Sequence, residues 1–278
     1  MKIAIQYSGH LRFIRDTYPQ IKNLIISHKE TIEFYFFVHT WDESLPEDIE
    51  YMKQVINPSR YFIDQQKLFE RHPYQLMGCD MTHEEYKNDP IRLKWNEEHP
   101  NDQKLFFEKP DITNDFAFDK NLEVVRFVDY SHYPYNTLSL FYSMHQVSVL
   151  TNSYAQEHHI TFDYVIRMRS DLQLLQQINM DFVDKNKLYV FEASPHKGEQ
   201  GKYTIHDQFA IGNPNNMRIY GDLFIYLPCY YFIMKLDWIS EIILGYHLQY
   251  NQIPIEIIPR FYQLLRYPDR SDTIRPTK

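Results

Sequence analysis

Lys2-Ile3-Ala4-Ile5-Gln6-Tyr7-Ser8-Gly9-His10-Leu11-Arg12 opens the chain with an apolar, extended run that ends in a small-residue turn. Apolar residues of this kind bounded by Ser and Gly read as a buried strand followed by a tight loop. Asp16 is then placed to cap a helix reaching about Lys29, and residues 32–38, rich in aromatic and β-branched side chains, read as a second buried strand. Strand, helix and strand in that order form a β-α-β unit, which builds a parallel sheet covered on both faces.

The alternation continues along the chain. Residues 136–158 carry Leu140, Phe141, Met144, Val147 and Tyr154 at helical spacing and predict one long helix. Strands are expected at residues 164–169, 188–192 and 208–211, helices at 215–224 and within 230–249, and an extended segment at 254–259. The pattern predicts one α/β domain over residues 1–278, with a largely parallel central sheet flanked by helices. Residues 44–123 form a long polar stretch without dense apolar periodicity. We read it as an insertion or lid between early strands, with helical turns at 47–56 and 82–86 and a short strand at 60–64.

With 278 residues, 44% hydrophobic and 24% charged, the composition excludes a wholly disordered or fibrous chain. A net charge of -8 disfavours binding to nucleic acid, whose backbone is met mainly by Lys and Arg. Cys79 and Cys229 have no metal-type spacing and read as reduced thiols, and the histidines, His158-His159 included, show no zinc pattern. The start lacks the apolar centre of a secretory signal, and no apolar run reaches the ~20 residues that span a bilayer, so a soluble, cytoplasmic protein is expected. Arg266, Arg270, Arg275 and Lys278 in the tail fit peripheral contact with an anionic membrane; a solvated terminus accounts for them equally well.

Ligands of parallel sheets gather beyond the carboxyl ends of the strands, so candidate site residues are sought there. Tyr164-Val165-Ile166-Arg167-Met168-Arg169-Ser170-Asp171-Leu172 sets Arg167, Arg169 and Asp171 on one side of a strand. Two arginines in an apolar strand need a counter-charge. Either Asp171 holds a divalent cation, Mn or Mg, against a diphosphate while an arginine binds phosphate, or the arginines pair with acids of the fold and Asp171 caps a turn. Ser8, Gly9 and Arg12 in the first loop permit close approach of an anion, or form an ordinary β-α turn. Thr40, Trp41 and Asp42 end the second strand and offer an aromatic plane and a carboxylate to a base and ribose, or a packed Trp beside a turn. Asp207 is a candidate general base for an acceptor hydroxyl, and Gln208 is a candidate to orient it. Glu241 competes for the base role, although a capping Glu is the plainer reading there.

Four strings carry a resemblance: Ser8-Gly9-His10-Leu11-Arg12, Phe37-Val38-His39-Thr40-Trp41-Asp42, Arg167-Met168-Arg169-Ser170-Asp171-Leu172 and Asp207-Gln208-Phe209-Ala210-Ile211-Gly212. In this order the chain resembles GT-A-fold glycosyltransferases of surface-polysaccharide synthesis, including the WavE-type lipopolysaccharide-core family and related capsule enzymes. The resemblance implies a nucleotide-sugar donor, a glycan or lipid-linked glycan acceptor, and Asp171 as the last carboxylate of a metal-binding D-x-D motif. Arg169 stands where the first Asp of that motif is expected, so Arg167 and Arg169 are alternatives to a metal for the diphosphate charge. A non-catalytic glycan-binding subunit and a nucleotidyltransferase are the rival readings. Replacement of Asp171 is expected to abolish transfer and leave folding largely intact.

Overall fold

The computed structural model describes residues 1–65, 134–192, 205–232, 240–259 and 261–265. The chain opens with β1 (Lys2–Ser8), α1 (Ile14–Leu24), the short β2 (Ile25–Ile26) and β3 (Glu33–Trp41). There follow α2 (Pro46–Tyr51), a π-helical turn (Met52–Ile56) and β4 (Arg60–Asp64). The long α3 (Pro134–Glu157) leads to β5 (Tyr164–Met168), β6 (Leu172–Leu174), β7 (Ile178–Asn179), a 3-10 turn (Met180–Phe182) and β8 (Leu188–Glu192). The described chain closes with β9 (Ile205–Gly212), α4 (Pro214–Phe232), α5 (Ser240–Tyr250), β10 (Ile255–Ile258) and β11 (Tyr262–Leu264).

Seven strands form the central sheet in the order β10-β8-β9-β5-β1-β3-β4. β4, β3, β1 and β5 pair in parallel, as do β8 and β10, whereas β9 runs antiparallel to both β5 and β8. The expected largely parallel sheet is therefore present, with one reversed strand. The order turns back at β1: the chain moves outward through β3 and β4, then returns to lay β5 on the other side of β1. Such a switch opens a crevice outside the carboxyl ends of the central strands.

Sheet alternation divides the core into two layers. Ala4, Phe37, Val165 and Ala210 face α3 and α4 with Phe141, Met144 and Tyr220, while Ile5, Val38, Ile166 and Phe209 face α1 with Ile14 and Ile21. Polar groups inside the first layer are matched: Gln6 Nε2 donates to Thr151 Oγ1 at 2.8 Å, and His39 Nδ1 bonds Ser143 Oγ at 2.7 Å. Paired in this way they escape the penalty of an unsatisfied buried polar group.

The sequence reading needs adjusting at several places. The first helix stops at Leu24 rather than near Lys29, because Ile25-Ile26 turns extended and pairs with Ile178-Asn179; its N-cap is Phe13, with Asp16 inside the first turn. The stretch from Ser44, read as insertion, begins as a further β-α-β unit whose β4 is a parallel edge strand of the main sheet. Residues 66–133 of that reading, and the expected helical turn at 82–86, lie outside the described residues. The helix expected at 215–224 runs from Pro214 to Phe232, and the next begins only at Ser240.

Two contacts hold the helical layer. Gly221 of α4 lies against α3 so closely that a Cβ there would sit 2.6 Å from Ser148 Cβ and 2.7 Å from its Oγ. His247 of α5 is fully buried; it accepts from the Tyr230 hydroxyl at 2.6 Å through Nδ1 and donates to the Ile219 carbonyl at 2.7 Å through Nε2. Burial lowers its pKa to about 4 despite the favourable backbone bond.

Gly221→Ala should destabilise by about 1–3 kcal/mol in urea unfolding, because the helix propensity gained is smaller than the cost of parting α3 from α4. For His247, a folded pKa of about 4 against an unfolded value near 6.5 makes stability full above pH ~6.5 and lost as pH falls toward 4. His247→Gln should accordingly flatten the loss of unfolding free energy between pH 7 and pH 5 by about 2 kcal/mol.

Candidate functional site

The carboxyl ends of β1, β3 and β5 are laced together by short polar side chains. Gly9 takes φ 100°, a conformation glycine adopts without strain, and its N–H donates to the His39 carbonyl at 3.2 Å. Among the described residues a Cβ built on Gly9 would meet no atom within 4 Å, so they leave the space beside this turn open. The next carbonyl, His10 O, accepts from Arg12 N at 2.9 Å and from Ser170 Oγ at 2.8 Å, and Thr17 Oγ1 in turn donates to Ser170 O at 2.6 Å. On the other side Leu11 N donates to Ser44 Oγ at 3.2 Å, and Ser44 Oγ bonds Thr40 Oγ1 at 2.8 Å. The first loop is thus fixed to the ends of both neighbouring strands.

Charged groups gather along this edge. Arg169 donates Nε and Nη2 to the two oxygens of Asp171, at 2.8 and 2.6 Å, a bidentate fork on a carboxylate that is 5% exposed. Burial lowers the Arg169 pKa, but the bond and charge of Asp171 outweigh it and the net shift is upward. Arg167 is 1% exposed; its Nε donates to Ser8 Oγ at 3.0 Å and its Nη1 to the Asp207 carbonyl. Burial lowers its pKa, partly opposed by Tyr220 and Asp207. Tyr220 also points its hydroxyl at the Asp207 carbonyl, at 3.5 Å, and burial pushes that phenol up to about 12.

Asp207 itself is 8% exposed, and among the described residues its carboxylate has neither a hydrogen bond nor an ion pair. It lies where β9 is irregular: between the pairs Val190–Ala210 and Glu192–Ile205, β8 advances two residues while β9 advances five. Extra residues of this kind break strand alternation and re-aim side chains. His10 completes the edge. Burial, then Arg12 and Arg169, lower its pKa to about 4, with Asp42 opposing, so its ring is neutral at pH 7. Arg12 is exposed.

The predicted residues fare differently. Ser8, Gly9, Arg12, Arg167, Arg169, Asp171 and Asp207 share one edge, as the position of the strand ends requires. Thr40 and Trp41 turn inward and are buried: Thr40 serves Ser44, and the Trp41 indole stacks on Tyr142 with centroids 5.6 Å apart and planes 21° apart. Asp42, one residue further, is exposed. Gln208 is half-buried; its backbone carbonyl accepts from Arg169 N at 3.1 Å, and its Oε1 is buried without a partner among the described residues. Glu241 stands at the start of α5, where Ser240 Oγ donates to its carboxylate at 2.8 Å. His10, Ser44, Ser170 and Tyr220 were not singled out from sequence. Ser170 sits inside the Arg-rich string and Ser44 two residues beyond Asp42, but nothing in their own neighbourhoods marks the loops they bond.

The carboxylate at the D-x-D position is engaged by an arginine. Asp171 accepts from Arg169 through both oxygens, so a cation there would share the carboxylate with the guanidinium. Among the described residues no three His, Cys, Asp or Glu side chains gather as a ligand set. No family model matches the chain, and no curated protein matches it. No described helix is long and apolar enough to cross a membrane.

Asp171→Asn removes the charge that offsets Arg169 and half of its fork. Contrary to the expectation of intact folding, it should lower the unfolding free energy by about 1.5–3 kcal/mol in urea titration.

Proposed function

We propose that the chain is a glycosyltransferase of GT-A type, moving a sugar from a nucleotide-diphosphate donor to a hydroxyl of a surface glycan. The observation that carries this reading is Asp207: a nearly buried carboxylate with no partner among the described residues, on the same edge as an open glycine turn and three arginines. Its charge acts through space on Arg167 and Arg169, while its oxygens keep their hydrogen-bonding capacity for a ligand. The strand order, with its single reversed strand beside β5, is compatible with a GT-A-like sheet.

In the reaction, the acceptor oxygen attacks the anomeric carbon and its proton passes to the Asp207 carboxylate. The bond from the anomeric carbon to the diphosphate breaks, and its electron pair leaves on the diphosphate oxygen. That growing negative charge is met by Arg12 at the mouth and by Arg169 beside it, which stabilise the transition state more than the bound donor. Gln208 and Asp42 are candidates to hold sugar or ribose hydroxyls. Direct proton transfer to Asp207 belongs to an inverting reaction. On this reading the partners are a nucleotide sugar and a glycan or lipid-linked glycan, met in the cytoplasm at the inner face of a membrane.

One observation favours a second reading, a non-catalytic glycan-binding subunit: the carboxylate at the D-x-D position is already committed to Arg169. Incubation with a panel of nucleotide sugars, with and without manganese, separates the two. Transfer or hydrolysis is the expected result, and glycan binding without any turnover would overturn the enzyme. Asp207→Asn should cut turnover by about 10²-fold or more at an unchanged melting temperature. A variant as active as the parent would remove Asp207 from the mechanism.

A further inference from the structure

β9 breaks the alternation of a strand at the place where Asp207 sits. Ile205 and Ala210 belong to the same core layer although an odd number of positions separates them, whereas Phe209 and Ile211 belong to the opposite layer. The chain therefore turns over within this stretch, in the bulge opposite Val190 to Glu192. Extra residues of a bulge have left the ladder, so other contacts must fix their conformation. The peptide unit between Asp207 and Gln208 is gripped at both ends. Its carbonyl accepts from Arg167 Nη1 and from the Tyr220 hydroxyl, and its N–H donates to Nδ1 of His206 at 3.3 Å. A peptide unit is planar, so two grips of opposite polarity set its orientation and limit where the Asp207 side chain can point. His206 is itself held: it is 7% exposed, and its Nε2 meets the Tyr262 hydroxyl of β11 at 2.5 Å. An amide N–H only donates, so Nδ1 is the acceptor, and in the neutral ring Nε2 carries the hydrogen and donates to the Tyr262 oxygen. Tyr262 packs in turn on Phe191 of β8, the strand paired with β9, with ring centroids 4.7 Å apart.

We propose that His206 is a positioning residue for Asp207: by closing onto the Gln208 N–H it holds the bulge in the shape that presents the Asp207 carboxylate to the open edge. The proposal rests on the reading of Asp207 as the base and adds the residue that aims it. The closure runs from residue i to i+2, as in an Asx turn made by Asn or Asp, but here the ring's second nitrogen is anchored on another strand. Histidine thus makes two contacts from one position, and its amide analogues make one each. An asparagine offers Oδ1 to the Gln208 N–H and falls short of Tyr262; a glutamine reaches Tyr262 and gives up the closure.

His206→Asn, His206→Gln and His206→Phe test this against the parent, with circular dichroism confirming that each folds. Two readouts are taken: kcat and KM for the nucleotide sugar that the parent turns over, and hydrogen exchange at the Gln208 N–H by NMR. His206→Asn should keep kcat within about threefold, while His206→Gln and His206→Phe lose about tenfold or more in kcat at a donor KM within about twofold, since a displaced base slows the chemical step without releasing the donor. Exchange at Gln208 should stay slow in His206→Asn and quicken by about tenfold or more in the other two. Parent-like kcat and exchange in His206→Gln, or a fall in His206→Asn as deep as in His206→Phe, would overturn the proposal. Should His206→Phe not fold, His206→Asn and His206→Gln decide alone, by whether only the first matches the parent. A Gln208 N–H that exchanges freely in the parent sinks the inference. A protected one in a parent that turns over no nucleotide sugar sinks the enzymatic reading, and exchange across the variants then decides the grip of His206.

Discussion

Arg167 bonds the end of β1 through Ser8 and the start of β9 through the Asp207 carbonyl, from its own place on β5. Three neighbouring strands are thereby pinned by one planar group, and the geometry of the edge follows from it. The strands pair in register beneath this point, Gln6 with Arg167 and Arg167 with Ala210. A flexible ammonium would give no such alignment, since it lacks the rigid fork that addresses two acceptors at once. With this link in place, the first loop can be held open by Gly9 while its flanks are tied down by Ser170 and Ser44.

The two helical layers have unequal tasks. α1 covers the sheet with aliphatic side chains and contributes Thr17 to the loop lacing. On the opposite face α3 and α4 meet at a glycine and a serine, and their layer absorbs the polar residues of the central strands: Gln6 on Thr151, His39 on Ser143. Tyr220 of α4 reaches the same carbonyl that Arg167 holds. The helix pair is therefore coupled to the edge through hydrogen bonds, and any shift of α4 is felt at Asp207.

Much of the fold was legible because its signals are local. Apolar runs such as Lys2–Tyr7 and the stripe of Leu140, Phe141, Met144 and Val147 report burial directly. The reversal of β9 was not legible, since an apolar strand reads alike in either direction. The membership of β4 in the sheet was obscured by Tyr61 and Phe62, whose exposed edge position gives no clean alternation. At the candidate site, sequence placed the charged residues on one edge but not their partners. Whether Asp171 meets a ligand or Arg169 depends on side-chain angles that spacing does not encode. Trp41 left two readings open for a related reason, as an aromatic at a strand end points outward or inward according to what lies across from it, here Tyr142.

Ser8, Arg167 and Asp207 are far apart along the chain and meet only because β9 runs against its neighbours, bringing its first residues to the place where theirs end. Contacts of such long sequence separation form late, after the loops between them have been closed at an entropic cost. During synthesis the amino-terminal strands can pair and bury their aliphatic faces before residue 205 exists, yet the guanidinium of β5 has no carbonyl to hold until β9 docks. The lacing of this edge is consequently a late event, withheld from any nascent form that ends before β9.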